Sequence, residues 1–328
     1  MSQAEKGIHT RRAVLGPMAA IVAMLVTAGC AGSGVYETTR VPATGAASIA
    51  PAPSATSAPP ASTCGNLLAS FAPDAKASGD RIAAIRTRGR LIAGVSADTL
   101  LLGSRNPVSG QIEGFDIEML RAVSKAIFND PNKIEFRVIT TAQRIPVLTE
   151  GSVDIVARAF TITCPRWEQI AFSSEYYRAG QKVLVAKGSP VKAMEDLKGK
   201  KVCAPNGSTS MDKLRTFAGL VPVASDTHTG CLVLFQAGRV DAITGDDTIL
   251  AGLAAQDPYA FVVKAPAFTA EPYGLGISKK YPELVQLVNA VLAQIRLDGQ
   301  WKAAYNTWLA EALGPAPAPP VAVYGRRP

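Results

Sequence analysis

The stretch GFDIEMLRAVSKAIF (residues 114–128), followed by KIEFRVI (133–139), decides the fold class. Apolar residues recur in the first segment at mostly helical spacing, whereas the second segment is strand-like. The same alternation continues on both sides, with the strand LIAGV (91–95) before it and the helix AQRIPVLTEG (142–151) and strand VDIVARAF (153–160) after it. Strands that alternate with helices predict an α/β fold with largely parallel sheets.

A second cycle of strands and helices follows further along the chain. KKVCAPNGS (200–208) precedes a helix around 211–218, the strand VPVA (221–224), a helix over 230–238 and the strand VDAITG (240–245). The chain has 328 residues, of which 48% are hydrophobic and 18% charged. This length and composition predict a large core that is divided over two lobes.

The net charge and the few histidines exclude several classes of function. The formal net charge of +8 falls to +6 if the chain is processed to begin at Cys30, and no Lys/Arg-rich run with interleaved aromatics is present. Nucleic acid is therefore not a predicted partner. His9 and His228 are the only histidines, and the sequence contains neither G-x-x-x-x-G-K nor G-x-G-x-x-G after a strand. Ligand binding without turnover and without a cofactor is favoured over enzymatic activity.

The N-terminus has the pattern of an export signal. Lys6, Arg11 and Arg12 precede an apolar run over 13–26, which is too short to span a bilayer comfortably, and Thr27-Ala28-Gly29-Cys30 resembles a lipobox. We expect 1–29 to be a signal peptide that directs export of the protein by the Sec or the twin-arginine route. We also expect Cys30 to be lipidated. The alternative is a plain cleaved signal peptide.

Proline and alanine are frequent on both sides of the predicted core. Residues 41–73 contain no charged side chain, and a second Pro/Ala-rich segment begins at Gly314. Such segments cannot bury a core. We therefore predict a tether over 30–79 and a tail over 314–328.

Three motifs together carry a family resemblance. GFDIE (114–118), TITCPR (161–166) and FSSEYY (172–177) resemble, in their order and spacing, the polar amino-acid branch of bacterial solute-binding proteins. These are the extracytoplasmic receptors of ABC importers, and the resemblance is strongest to the glutamine/glutamate-binding lipoproteins of actinobacteria. It covers about residues 80–313.

The resemblance implies two α/β lobes joined by two crossing strands, with a ligand crevice between the lobes. The first lobe would comprise 80–184 and 274–313, and the second lobe 185–273. QKVLVAK (181–187) and EPYGLGI (271–277) look like the crossing strands. A crevice at such a boundary is also where a small polar ligand is expected on general grounds.

The resemblance also assigns ligand-binding residues. Arg166 would bind the α-carboxylate of an amino acid through two parallel N–H donors, with Thr161 as a further donor. The carbonyl of Ala159 and the carboxylate of Asp246 would bind the ammonium group. A helix cap is the alternative role for Asp246. Pro165 and Glu175 depart from the family pattern without removing a ligand contact.

Further residues are predicted to contact the ligand side chain. Arg144 matches an arginine that binds the side-chain carboxylate in glutamate/aspartate-binding members, although a solvated charge on a helix face is the alternative. The turn NGSTS (206–210) precedes a helix and can present donors to an oxygen-bearing group, or can simply cap that helix. The candidates at this end are Asn206, Ser208, Thr209, Arg144, Arg158 and Ser96.

Five cysteines leave four for disulfides if Cys30 carries lipid. Three pairings of these four are possible, and we favour Cys203 with Cys231, because both fall in the same predicted lobe, which leaves Cys64 with Cys164. A metal site of His228, Cys231 and Cys203 is the rival interpretation, but it lacks a C-x-x-C pair and a fourth ligand.

The sequence thus predicts a monomeric lipoprotein on the outer face of the cytoplasmic membrane. Its expected ligand is glutamate or aspartate, with glutamine next, and its expected partner is an ABC permease. A tethered sensor that signals through a membrane protein is the alternative, because the same binding site would serve both functions.

Overall fold

The computed structural model describes residues 64–327, which form two α/β lobes. The predicted signal peptide and Cys30 lie outside the described residues. The first lobe has a five-stranded sheet in which four strands run in the same direction and one, Gly276–Ile277, is antiparallel to both of its neighbours. In spatial order its strands are Ile134–Val138, Leu91–Val95, Ile155–Ala157, Gly276–Ile277 and Ala171–Phe172.

Helices surround this first sheet, and the predicted helix over 114–128 is among them. It spans Phe115–Phe128 and buries its apolar face. Gly114 precedes it with φ of 137°, and a Cβ there would lie 2.4 Å from the Leu102 carbonyl, so only glycine fits. The other helices of the first lobe are Asp80–Arg88, Ala142–Arg144 (3₁₀), Pro146–Thr149, Cys164–Trp167, Pro282–Leu297, Gln300–Trp308 and Ala310–Leu313, and a small antiparallel sheet contains Asp98–Thr99, Gly103–Arg105 and Ile112–Glu113.

The second lobe repeats the same plan with its own five-stranded sheet. Its spatial order is Val221–Ser225, Lys201–Pro205, Ala242–Asp246, Gln181–Ala186 and Ala260–Val262, of which the first three are parallel. Its helices are Met194–Leu197 (3₁₀), Thr209–Leu214, His228–Gln236 and Asp247–Gln256. The carboxyl ends of the parallel strands in both lobes lead into the loops that face the crevice.

Two antiparallel strands, Tyr177–Ala179 and Glu271–Tyr273, join the lobes. The first crossing strand lies earlier than predicted. Gln181–Ala186 pairs along its length with Ala242–Asp246, so it belongs to the second sheet. The first lobe therefore gives way to the second near Gly180, before the predicted boundary at 184.

The two ends of the described chain meet on the first lobe. Ala69–Phe71 pairs in parallel with Val323–Arg326, and Phe71 is buried in the core of this lobe. Parts of the predicted tether and of the predicted tail are thus ordered strands, which corrects both boundaries. The pairing provides hydrogen-bond partners for backbone N–H and C=O groups that these two segments would otherwise expose to solvent.

Both favoured disulfide pairings are present. Cys64 is bonded to Cys164 and Cys203 to Cys231, with Cα separations of 5.5 Å and 5.6 Å. Since Cys203 and Cys231 are bonded to each other, they cannot supply thiolates to the rival metal site with His228. Among residues 64–327, no helix combines the length and apolar character that crossing a bilayer requires.

Candidate functional site

A cavity lies between the lobes and is lined mainly by polar side chains. Eight of the ten predicted ligand-binding residues line it, namely Ser96, Arg144, Arg158, Ala159, Thr161, Ser208, Thr209 and Asp246. The remaining lining residues are Thr99, Leu102, Asp116, Thr141, Ser210, His228 and Ile249. Arg166 and Asn206 are not among them, and Asn206 is exposed.

Arg166 lies immediately beside the lining residues, on the short helix Cys164–Trp167. It is 7% exposed, and its guanidinium donates to the carbonyls of Thr161 (2.7 Å) and Gly207 (3.1 Å). Because Gly207 belongs to the second lobe, Arg166 bridges the two lobes.

Arg144 converges on the same point. It is 4% exposed and donates to the carbonyls of Gly207 and Ala159, at 2.9 Å each. The guanidinium carbons of Arg144 and Arg166 lie 4.5 Å and 5.1 Å from the centroid of the Phe160 ring, so the two cations share one aromatic neighbour and one carbonyl. Arg144 is therefore a buried residue of the crevice and not a solvated charge on a helix face.

Arg158 supplies a third buried cation. It donates to the Ile139 carbonyl at 2.9 Å and to the Thr141 hydroxyl at 2.6 Å. Within residues 64–327, none of these three arginines forms an ion pair with a carboxylate.

Burial lowers the pKa of all three arginines, and for Arg144 the neighbouring charges of Arg166 and Arg158 lower it further. Each of these guanidinium groups remains protonated because its ordinary pKa is so high. The site consequently concentrates positive charge in a desolvated place, where an anion would be strongly stabilised.

Asp246 provides negative charge from the second lobe. It is 3% exposed at the end of the strand Ala242–Asp246, and its Oδ2 accepts from the Tyr273 hydroxyl at 2.5 Å. Its Oδ1 is buried with no hydrogen-bond partner among residues 64–327. Burial, and then the charge of Glu271, raise the pKa of Asp246 to about 7.

The neighbouring aspartate has a structural role. Asp247 accepts from the backbone N–H groups of Thr248 (2.8 Å) and Gly180 (3.4 Å). Asp246 occupies the N-cap position of the helix Asp247–Gln256 but makes no side-chain cap hydrogen bond. The alternative reading of Asp246 as a helix cap is thus wrong.

Ala159 has an unusual backbone, with φ of +41°. Its N–H donates to Asp116 Oδ2 at 2.8 Å, and Asp116 also accepts from the Tyr176 hydroxyl at 2.6 Å. Burial raises the pKa of Asp116 to about 6. The Ala159 carbonyl, predicted to meet the ligand ammonium, accepts from Arg144 in this structure.

In the predicted turn at 206–210, Ser208 and Thr209 have different roles. Ser208 caps the helix Thr209–Leu214 by accepting from Met211 N at 3.0 Å, while Thr209 donates to Glu271 at 2.8 Å. Thr209 also lies 3.4 Å from the Thr161 hydroxyl of the first lobe. At the other end, Ser96 donates to Asp98 at 2.7 Å.

From the sequence His228 was a candidate general base or metal ligand and not a ligand-binding residue, yet it lines the cavity. Its Nε2 is buried without a partner among residues 64–327, and burial lowers its pKa to about 3, so the imidazole is neutral. Gly245 leaves the space for this ring, because a Cβ there would lie 2.6 Å from Nε2. The sequence predicted the helix at 230–238, whereas in the structure it begins at His228, so there was no direct sequence signal for this role.

The lobes touch outside the arginine cluster as well. Thr229 donates to the Asp98 carbonyl at 2.8 Å. Gly252, on the helix Asp247–Gln256, packs against the Leu100 backbone, and a Cβ at this position would lie 2.6 Å from the Leu100 carbonyl oxygen.

Two lobes joined by two strands, with opposite charges from different lobes at one buried cavity, form an arrangement suited to holding a small molecule between the lobes. The family model for bacterial extracellular solute-binding proteins, family 3, matches residues 91–311. The chain belongs to this family, whose members bind solutes and are not enzymes.

Individual relatives agree with this assignment. The chain is 38% identical over 234 residues to the ABC transporter glutamine-binding protein GlnH of Bacillus subtilis, which covers 71% of this chain and 85% of that protein. It is 32% identical over 248 residues to the glutamate-binding protein GluB of Corynebacterium efficiens, covering 72% and 83%. The solute receptor for L-cysteine of Neisseria gonorrhoeae is similar in structure, with a TM-score of 0.68, 27% identity and coverage of 71% and 95%.

Proposed function

We propose that this protein binds an acidic amino acid, glutamate or aspartate, between its lobes and delivers it to an ABC importer from the outer face of the membrane. The observation that supports the ligand class most directly is the balance of buried charge. Three guanidinium groups and the carboxylates of Asp116 and Asp246 surround or adjoin one cavity, and of these two carboxylates only Asp246 has an oxygen without a partner among residues 64–327. An acidic amino acid has the matching charges, which are two carboxylates and one ammonium group.

Each charged group of the ligand then has a partner. Arg166 and Thr161 bind the α-carboxylate, and Asp246 binds the ammonium group through Oδ1. Arg144 and Arg158 are directed at the side-chain carboxylate. Since Arg166 and Asp246 belong to different lobes, binding of the amino-acid backbone stabilises the closed arrangement.

The glutamate named for GluB supports an acidic ligand, and the glutamine named for GlnH supports the amide as the next candidate. Glutamine needs no cation at its side-chain end, so the buried arginines favour the acidic ligands over the amide. Replacing a charged hydrogen bond by a neutral one changes the binding free energy by about 1–2 kcal/mol.

Calorimetric titration of the protein with glutamate, aspartate and glutamine tests the assignment. Arg166→Ala should weaken binding of all three by about 100-fold or more, because it leaves a buried carboxylate uncompensated. Arg121→Ala is the matched control, since Arg121 is a partly exposed arginine paired with Glu118 on a first-lobe helix outside the cavity. Glutamate affinity close to wild type in Arg166→Ala would contradict the proposal.

The anchor and the partner need separate experiments. If Cys30 carries lipid, Cys30→Ala should move the protein from the membrane fraction to the soluble fraction, and a variant that stays in the membrane contradicts lipidation. Capture of membrane proteins with and without glutamate then identifies the partner. A permease and its ATPase support transport, whereas a signalling protein supports the sensor alternative.

A further inference from the structure

A group of contacts connects both ends of the described chain to the helix that carries Arg166. We name residues 64–71, the helix Cys164–Trp167 and the strand Val323–Arg326 the anchor cluster. Cys64 is bonded to Cys164, and the strand Ala69–Phe71 pairs with Val323–Arg326. Three segments that are distant in sequence therefore meet two residues from Arg166.

Trp167 is the centre of the anchor cluster. It is 5% exposed, and its indole N–H donates to the Leu67 carbonyl at 3.0 Å. The Arg326 guanidinium lies 4.0 Å from its ring centroid, and Phe71 lies against the same side chain with 6.3 Å between centroids. Arg326 also donates to the carbonyls of Cys64 and Ala69, both at 3.0 Å. Each end of the described part of the chain, residues 64–327, thus contacts Trp167, the residue that follows Arg166.

The helix Cys164–Trp167 depends on such external contacts. It has only four residues, and a helix of this length is not stable by itself. Its internal hydrogen bonds are those of a single turn, from Trp167 N to the Thr163 carbonyl at 3.0 Å and from Glu168 N to the Cys164 carbonyl at 3.1 Å, with a long cap bond of 3.4 Å from Arg166 N to Thr163 Oγ1. The position of the Arg166 guanidinium therefore follows from what holds the helix on the first lobe.

We propose that the anchor cluster is a positioning device for Arg166. The Cys64–Cys164 disulfide, the Trp167 indole and Arg326 hold the helix in place before the ligand arrives, so that Arg166 meets the α-carboxylate without first being ordered. Ordering a flexible side chain reduces affinity, and preorganisation avoids that loss. The inference rests on the proposed function, in which Arg166 binds the α-carboxylate.

The two disulfides provide a matched pair of variants. Cys64→Ser/Cys164→Ser removes the bond at the anchor cluster, and Cys203→Ser/Cys231→Ser removes a bond in the second lobe. Calorimetric titration should show about tenfold weaker binding in the first variant, equal for glutamate, aspartate and glutamine, because all three carry the α-carboxylate. The second variant should lose thermal stability but keep its affinity.

Arg326→Gln tests the same device with both disulfides intact. It removes the cation above Trp167, and we expect weaker binding of the same ligands by a few-fold. Far-ultraviolet circular dichroism on each variant verifies that it is folded at the temperature of titration.

A coupling measurement separates positioning from a general structural role. In an Arg166→Lys background, removal of the Cys64–Cys164 bond should cost little further affinity, because the group that it positions is already replaced. Wild-type affinity in the folded Cys64→Ser/Cys164→Ser variant, or an undiminished loss in the Arg166→Lys background, would overturn the inference. Normal glutamate binding by Arg166→Ala with both disulfides intact would instead overturn the proposed function.

Discussion

Replacing Asp246 by Asn should separate the recognition of the ammonium group from that of the carboxylates. The asparagine keeps the size of the side chain and an oxygen for the Tyr273 hydroxyl, which lies 2.5 Å from Oδ2. It replaces the unpartnered buried oxygen by a neutral group that cannot balance an ammonium. Breaking a buried ion pair by removing one partner costs about 3–5 kcal/mol, which corresponds to roughly 100- to 1,000-fold or more in affinity.

The assay is calorimetric titration with glutamate and with glutarate, which has both carboxylates but no ammonium group. Asp246→Asn should weaken glutamate binding by the stated factor and leave glutarate binding unchanged or stronger, since a buried negative charge has been removed. Asp247→Asn is the matched control, because Asp247 bonds the backbone N–H groups of Thr248 and Gly180 and does not line the cavity. Equal losses for the two ligands, or no loss for glutamate, would refute the assignment of Asp246.

Three further predictions concern charge, pH and covalent structure. Arg144→Gln should weaken glutamate and aspartate about 10- to 100-fold more than glutamine in the same titration, and equal losses would contradict a side-chain role. The raised pKa values of Asp116 (about 6) and Asp246 (about 7) contribute stability that is present below an unfolded value near 3.8 and lost as the pH rises through 6 to 7. The melting temperature of the ligand-free protein should therefore fall between pH 5 and 8, and fall less in Asp246→Asn; an identical pH profile would contradict this. Removing the Cys203–Cys231 bond should lower the free energy of unfolding by about 3–4 kcal/mol in denaturant titration, and an unchanged value would contradict its stabilising role.

The fold and most of the cavity could be predicted because both follow from local patterns. Alternating periodicity marks strands and helices, and the residues at strand ends, such as Asp246, must face the crevice once the strands are parallel. The ten predicted ligand-binding residues came mainly from the family resemblance, and eight of them line the cavity. Arg144, which the resemblance assigned to the ligand side chain, lines the cavity, although its spacing on a helix also suited an exposed position.

The remaining features depend on contacts between distant segments. His228 enters the cavity because Gly245, on a neighbouring strand, has no side chain. The strand Val323–Arg326 lies in a Pro/Ala-rich segment without a strand pattern, and it forms because Ala69–Phe71 offers an edge and Arg326 meets Trp167. The sequence around Ser208 is compatible both with a contact to the ligand and with a helix cap. Only the hydrogen bond from Met211 N to its hydroxyl shows that Ser208 caps the helix.

The contact between Gly252 and Leu100 limits how far the lobes can approach each other. At this point the backbones of the two lobes are in direct contact. The methyl group of a Gly252→Ala variant would lie 2.6 Å from the Leu100 carbonyl oxygen and would force the lobes apart. This variant would keep every charged residue of the site, yet Arg166 and Asp246 could no longer contact the same amino acid. We therefore expect the affinity for the ligand to depend partly on Gly252, which does not line the cavity and has no side chain.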